Sequence, residues 1–229
     1  MLQLALLAFL LSLAGGARGL DDARQDAFIN YSEVARVQED VNPADVVAVA
    51  VQSSYGQIRL HLRRDWAPNA AEAVARAAAG KMRACPGCSW YRHEPAPENW
   101  GVNGFYGPPY GLLQGGIPVL ETGVTQENPG ARAVTRGTAA FIAGSTDYFI
   151  GTVDHTEWGA AFTVFAQVEE EDMKSVVPLI PLEPYRNSTD AYNFTTRWLL
   201  ERVPVTLVPL TRKDLLAGGG ASGAGAGTA

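Results

Sequence analysis

Residues 46–51, Val46-Val47-Ala48-Val49-Ala50-Val51, are apolar without exception, and a turn around Ser54-Tyr55-Gly56 separates them from Ile58-Arg59-Leu60-His61-Leu62. In the second run the apolar side chains alternate with Arg59 and His61, the period of a strand with one buried and one wet face. A helix is predicted next. Pro68 opens an Ala-rich stretch that runs to Ala79, Pro being tolerated in a first turn, and Gly80 ends it. Later strands are predicted at 89–92, 137–142, 148–152, 162–168 and 203–208, and a second helix at 170–177, stopped by Pro178. This order predicts a mainly β, α+β fold, and the many short strands favour a closed barrel.

The chain has 229 residues, 47% hydrophobic and 18% charged, which suits one medium domain with tails. A net charge of -6 and the lack of any run of Lys and Arg argue against nucleic acid as a partner. Residues 1–19 are largely apolar from Leu4 to Ala14 and then turn to small residues, as in a secretory signal peptide. That apolar core is shorter than the about 20 residues of a membrane span. Residues 20–45 read as a polar leader segment, 46–210 as the folded domain and 211–229 as a disordered tail, since from Gly218 onward only Gly, Ala, Ser and Thr occur. Asn30, Asn187 and Asn193 each open an N-glycosylation triplet, where composition alone predicts about one. A monomer in the secretory pathway, the ER lumen or outside the cell is expected, with no membrane attachment beyond the signal peptide.

The two cysteines form Cys85-Pro86-Gly87-Cys88, and Pro followed by Gly sets a type II turn whose ends lie within about 7 Å. A disulfide there fits, adding about 2 kcal/mol through chain entropy. A redox centre, half of a metal site and free thiols are the alternatives, the first lacking the strand-to-helix context of a thioredoxin. His61, His93 and His155 show no ligand spacing and read as surface groups rather than a zinc site. No metal, nucleotide or other cofactor is expected.

Several motifs then fall in a recognisable order. Tyr55-Gly56-Gln57-Ile58-Arg59-Leu60-His61-Leu62 and Ala67-Pro68-Asn69 are followed by Trp90-Tyr91-Arg92 and Leu113-Gln114-Gly115-Gly116. Gly137-Thr138, Tyr148-Phe149-Ile150, Thr156-Glu157-Trp158 and Val164-Phe165-Ala166-Gln167-Val168 complete the series. From about Val46 to Val208 the chain resembles the cyclophilin-type peptidyl-prolyl cis-trans isomerases. The resemblance implies a closed eight-stranded barrel capped by two helices, with a groove for proline-containing peptides or unfolded proteins on its outside. It implies Arg92 as the donor to the prolyl nitrogen and Gln114 as the clamp on a substrate carbonyl. Leu112, Phe149 and Phe141 would line the proline pocket, and Trp158 would form its rim.

The chain also departs from the family pattern. Phe162 stands where the family carries a groove-edge His, Phe141 and Ile142 where it carries an Ala and an Asn, and Asp147 where it carries a Gln. An insertion between Arg92 and Gln114 holds Pro95, Pro97, Pro108 and Pro109, and the apolar residue expected before the Gln falls on Gly111, with Tyr110 or Phe105 as substitutes. The implied function is prolyl isomerisation in assistance of protein folding. A catalytically weak peptide-binding module on the same barrel is the alternative, and thiol-disulfide exchange a distant third.

Overall fold

A computed structural model of the chain describes residues 41–80, 85–120, 123–127, 132–191 and 193–218. The expected signal peptide, almost all of the leader, and Asn30 lie outside these residues. β1 (Val46–Ser53) pairs antiparallel with β2 (Gly56–Leu62), with Val49 opposite Leu60 and Val51 opposite Ile58. Those four side chains are buried, while Arg59 and His61 on the other face stay partly exposed, as the alternation requires. α1 (Pro68–Ala79) has the predicted bounds and buries Ala70, Ala71, Val74, Ala75 and Ala78, an apolar stripe at helical spacing. Ala67 offers it no side-chain cap. The carboxylate of Glu127 does so instead, its Oε2 accepting from the N–H groups of Asn69 and Ala70 at 3.0 Å each.

The other strands are β3 (Ser89–Glu94), β4 (Leu112–Gly116), β5 (Thr138–Phe141), β6 (Asp147–Gly151), β7 (Thr163–Val168), β8 (Tyr185–Thr189), β9 (Thr195–Leu199), β10 (Val203–Pro204) and β11 (Thr206–Thr211). One sheet runs in the order β10, β3, β4, β6, β5, β7, β2, β1, β11. Its two end strands are consecutive in the chain, separated only by Val205, whose N–H donates to the Cys88 carbonyl at 3.1 Å. A single C-terminal segment thus bonds to both edges and brings the sheet nearly to closure. Counted as one kinked strand, β10 and β11 leave eight positions around the barrel. Trp90, Leu113, Phe141, Tyr148, Ile150 and Phe165 are among the buried side chains of the interior.

Three features differ from expectation. The helix after β7, α2 (Glu170–Ser175), ends before Val177, and Pro178 lies inside a following 3-10 turn, Val177–Leu179. Pro disfavours α conformation in the residue before it, so the helix stops upstream while Pro178 itself sits in a first turn that needs no N–H. The segment read as a tail begins as a helix, α3 (Arg212–Gly218), and its remainder lies outside the described residues. β8 and β9 form a separate two-stranded hairpin that the strand pattern did not predict.

His93 and His155 are buried rather than surface groups. The His93 ring donates from Nδ1 to the Ile180 carbonyl at 2.8 Å, and burial pushes its pKa below the usual imidazole value. The unfolded chain therefore takes up a proton near pH 6.5 that the folded chain refuses. Stability is expected to fall as pH drops below about 6.5, ahead of the titration of the carboxylates, and His93→Gln should remove that early slope. Urea midpoints measured from pH 7.5 to 5 check this, and a flat profile would contradict it.

Candidate functional site

Strand register assembles the site. Arg92 on β3 pairs with Gln114 on β4, Gln114 with Phe149 on β6, Phe149 with Ala140 on β5, and Ala140 with Val164 on β7. Residues directly opposite share a face, so this row forms one stripe across four strand pairs. A bulge between Trp90 and Arg92 shapes its first member. Trp90 is fully buried in the barrel, while Tyr91 and Arg92 both reach the outer side. Gly115 is required beside them, because a Cβ there would lie 2.6 Å from the Ser89 carbonyl oxygen and 2.8 Å from the Trp90 ring.

Arg92 is held on two sides. Its Nη1 donates to Gln114 Oε1 at 2.9 Å and its Nε to Glu94 Oε1 at 2.8 Å. The Arg92 side chain is 14% exposed and that of Glu94 0%. Glu94 also accepts from the N–H of Tyr110 at 2.8 Å and of Arg197 at 2.9 Å. Gln114 in turn donates from Nε2 to the Tyr91 hydroxyl at 3.1 Å. Burial, with the nearby charge of Asp147, pushes the Tyr91 phenol above its usual range, so it remains a neutral hydrogen-bonding group. The outcome is a guanidinium anchored from two different sides, through Nε by Glu94 and through Nη1 by Gln114.

Beyond Gln114 the stripe becomes apolar. Leu112, Val134, Ala140, Phe149 and Val164 form a second cluster, against which Trp66, Tyr110, Ile142, Trp158 and Phe162 pack. Of the two substitutes expected for the apolar residue at Gly111, Tyr110 or Phe105, it is Tyr110 that packs against this cluster. Phe149 is only 2% exposed, because Phe162 and Trp158 stand edge-on to its ring at 4.9 and 5.6 Å between centroids. Trp158 stacks at 3.6 Å on His155, whose Nε2 donates to the Gly111 carbonyl at 3.2 Å and whose Nδ1 lies 2.9 Å from Glu157 Oε1. His155 therefore supports the rim from beneath.

Arg92, Gln114, Leu112, Phe149, Trp158 and Phe162 are thus gathered on one face. Phe141 is not among them. It pairs with Tyr148, one residue out of step with the outer row, and points into the barrel at 4.6 Å from Phe165. A shift of one residue along a strand exchanges the two faces, and the position assigned by resemblance was off by that step. Ile142 instead packs against the outer cluster. Glu94 and the β8–β9 hairpin were not anticipated. Trp198 of β9 stacks on Tyr91 at 5.7 Å, and the sequence signal for its strand is the run Thr195-Thr196-Arg197-Trp198, rich in β-branched and aromatic residues.

Cys85 and Cys88 pair as a disulfide with Cα atoms 5.3 Å apart, and the Cys88 N–H donates to the Cys85 carbonyl at 2.8 Å across the turn, where Gly87 has φ +84°. Among the described residues no group of three His, Cys, Asp or Glu side chains is placed to hold a metal ion, and no helix is long and apolar enough to cross a membrane.

No family model and no curated protein matches the chain. Among solved structures it is similar to a cyclophilin-type peptidyl-prolyl cis-trans isomerase of Cryptosporidium parvum, with 10% identity, a TM-score of 0.48, and coverage of 73% of this chain and 99% of that one. The same Cryptosporidium parvum isomerase in the presence of the dipeptide Ala-Pro gives 12% identity, a TM-score of 0.45, and coverage of 72% and 99%. A cyclophilin from Hirschia baltica gives 10% identity, a TM-score of 0.44, and coverage of 72% and 75%. These are likenesses of fold, between a mainly β chain with a nearly closed barrel and proteins of the cyclophilin type.

Proposed function

We propose that the outer stripe binds a proline-containing peptide and interconverts the cis and trans forms of its prolyl bond. The observation that carries this reading is the Arg92–Gln114 clasp, closed at 2.9 Å on the outside of the barrel. Rotation about an amide is opposed by resonance, with a barrier of about 18–20 kcal/mol. In the twisted state the nitrogen recovers its lone pair and becomes an acceptor. An N–H of Arg92 aimed at that nitrogen gains strength only there, which lowers the barrier without tightening the ground state. Glu94 and Gln114 hold the guanidinium in place beforehand, so little ordering is left to the moment of reaction. The second amide hydrogen of Gln114 Nε2 is available to a substrate carbonyl. No covalent step or cofactor enters.

Binding without turnover is the second reading, and the coverage of Phe149 favours it: a proline ring reaches that surface only when Phe162 or Trp158 moves. One set of assays separates the two. On a model Ala-Pro peptide the wild type should accelerate isomerisation, Arg92→Ala should lose about a hundredfold, the size of removing one transition-state donor, and Phe162→Ala should bind about tenfold more tightly by uncovering apolar surface. No acceleration by wild type or by Phe162→Ala, with binding retained, would leave the module reading alone.

The same proposal places the protein in the secretory pathway. The apolar start, the Cys85–Cys88 pair, and the exposure of Asn187 on β8 and Asn193 in the turn after it support this. Expression in secretory cells should give a glycosidase-sensitive mass that Asn187→Gln and Asn193→Gln reduce. A product retaining residues 1–19 and carrying no sugar would contradict the placement.

A further inference from the structure

The hairpin of β8 and β9 brings to the site a feature that the barrel alone does not contain. Tyr91, Arg186, Trp198, Leu199, Leu200 and Arg202 line a cleft of about 280 Å³. Its aromatic wall is the stacked pair Tyr91–Trp198, with centroids 5.7 Å apart and planes inclined by 26°. Arg186 lies opposite Trp198 in the hairpin register, on the same face, and the Arg202 guanidinium sits 5.5 Å from the Tyr91 ring centre. Both arginines are exposed, and neither has a carboxylate partner among the described residues. The carboxylate that acts on Tyr91 is that of Asp147, at the Tyr91 hydroxyl, which also accepts from Gln114. In a chain of net charge -6, two guanidinium groups without an ion-pair partner place positive charge beside an apolar wall, with the exposed Glu201, between Leu200 and Arg202 in sequence, as the adjoining acidic residue.

We propose that this cleft is an anion subsite that receives the carboxylate of an acidic side chain flanking the proline of a bound peptide. The inference rests on the proline-peptide reading above and narrows it to acidic substrates. The geometry links the two places. Tyr91 is a wall of the cleft, and its hydroxyl holds Gln114, so a peptide crossing Gln114 meets the cleft within its next residues. Leu199 and Leu200 receive the methylene stem, and the paired arginines receive the oxygens through planar, charge-assisted hydrogen bonds. Because the guanidinium groups are exposed, the preference should weaken with salt.

The test uses two amidated Ala-Pro peptides that differ only in one flanking residue, Glu or Gln, so that the side chain is the only carboxylate. A third, the Gln peptide as a free acid, separates a terminal carboxylate from a side-chain one. Binding is followed on the isotope-labelled protein at the Trp198 indole N–H and, for the groove, at Trp158. The Glu peptide should bind about tenfold more tightly than its Gln partner at low salt. The gap should close in the double variant Arg186→Gln/Arg202→Gln, whose exposed substitutions leave the fold intact. Equal affinities for the wild type, a gap that survives in the double variant, or a preference shown only by the free acid would each overturn the proposal. If Trp158 responds to both peptides equally while Trp198 is silent, the subsite falls and the groove stands. If a proline-free Glu peptide moves Trp198, and the double variant abolishes this while no proline peptide moves Trp158, the anion site stands and the prolyl reading falls.

Discussion

Glu94→Ala is expected to destabilise the domain by about 3–5 kcal/mol, the range for removing one partner of a buried ion pair. The Glu94 carboxylate is fully buried and accepts from Arg92 Nε, Tyr110 N and Arg197 N. Its loss leaves a guanidinium that is 14% exposed without its counter-charge, and leaves two backbone N–H groups without an acceptor. The three donors come from β3, from the insertion before β4 and from β9, so one side chain ties the groove floor, the groove edge and the hairpin together. In a domain of this size the change corresponds to a fall in Tm of roughly 6–20 °C. Glu94→Gln, which keeps the shape but turns an N–H pair toward N–H donors, should cost less yet still free Arg92. A loss under about 1 kcal/mol for Glu94→Ala, measured from the urea midpoint at constant m, would show that Glu94 does not organise the site.

Phe141→Ala should cost as much through a different cause. Phe141 is fully buried between Phe165 at 4.6 Å and Tyr148 at 6.1 Å, and truncating a core Phe typically costs about 3–5 kcal/mol including the cavity it leaves. Its ring lies on the opposite side of the sheet from Arg92, so peptide affinity in the folded fraction should not change. Phe149→Ala should do the reverse in emphasis, weakening binding because its ring belongs to the outer cluster. Comparison of urea midpoints and peptide titrations for the two variants separates core from groove. A Phe141→Ala protein that remains stable but loses peptide binding would restore Phe141 to the pocket.

The elements most legible in the sequence were those whose signals are local. β1, β2 and α1 are specified by unbroken apolar runs, by strict alternation and by Pro68 and Gly80 at the helix ends. Arg92, Gln114 and Phe149 were legible as a group because motif order placed them on neighbouring strands, and the register confirms that they share a face. Phe141 was not, because its face depends on a one-residue register, and a bulge lies between Ala139 and Ala140 in the pairing of β5 with β7. Glu94 was unreadable for another reason: two of its donors lie 16 and 103 residues away, and before Pro95 an isolated Glu looks like the start of a loop. His155 is buried by a ring stack and a carbonyl from Gly111, 44 residues earlier. Pairing at such separations is a property of the fold and leaves no pattern in the neighbouring sequence.

The central claim, that the Arg92–Gln114 clasp holds and turns a prolyl bond, is tested most directly by exchange NMR on an isotope-labelled Ala-Pro peptide with catalytic amounts of the wild-type protein. Uncatalysed interconversion takes tens to hundreds of seconds, so the account predicts cis–trans cross-peaks on the sub-second timescale that vanish with Arg92→Ala. Absence of cross-peaks from the wild type, at concentrations where the peptide is seen to bind, would contradict it.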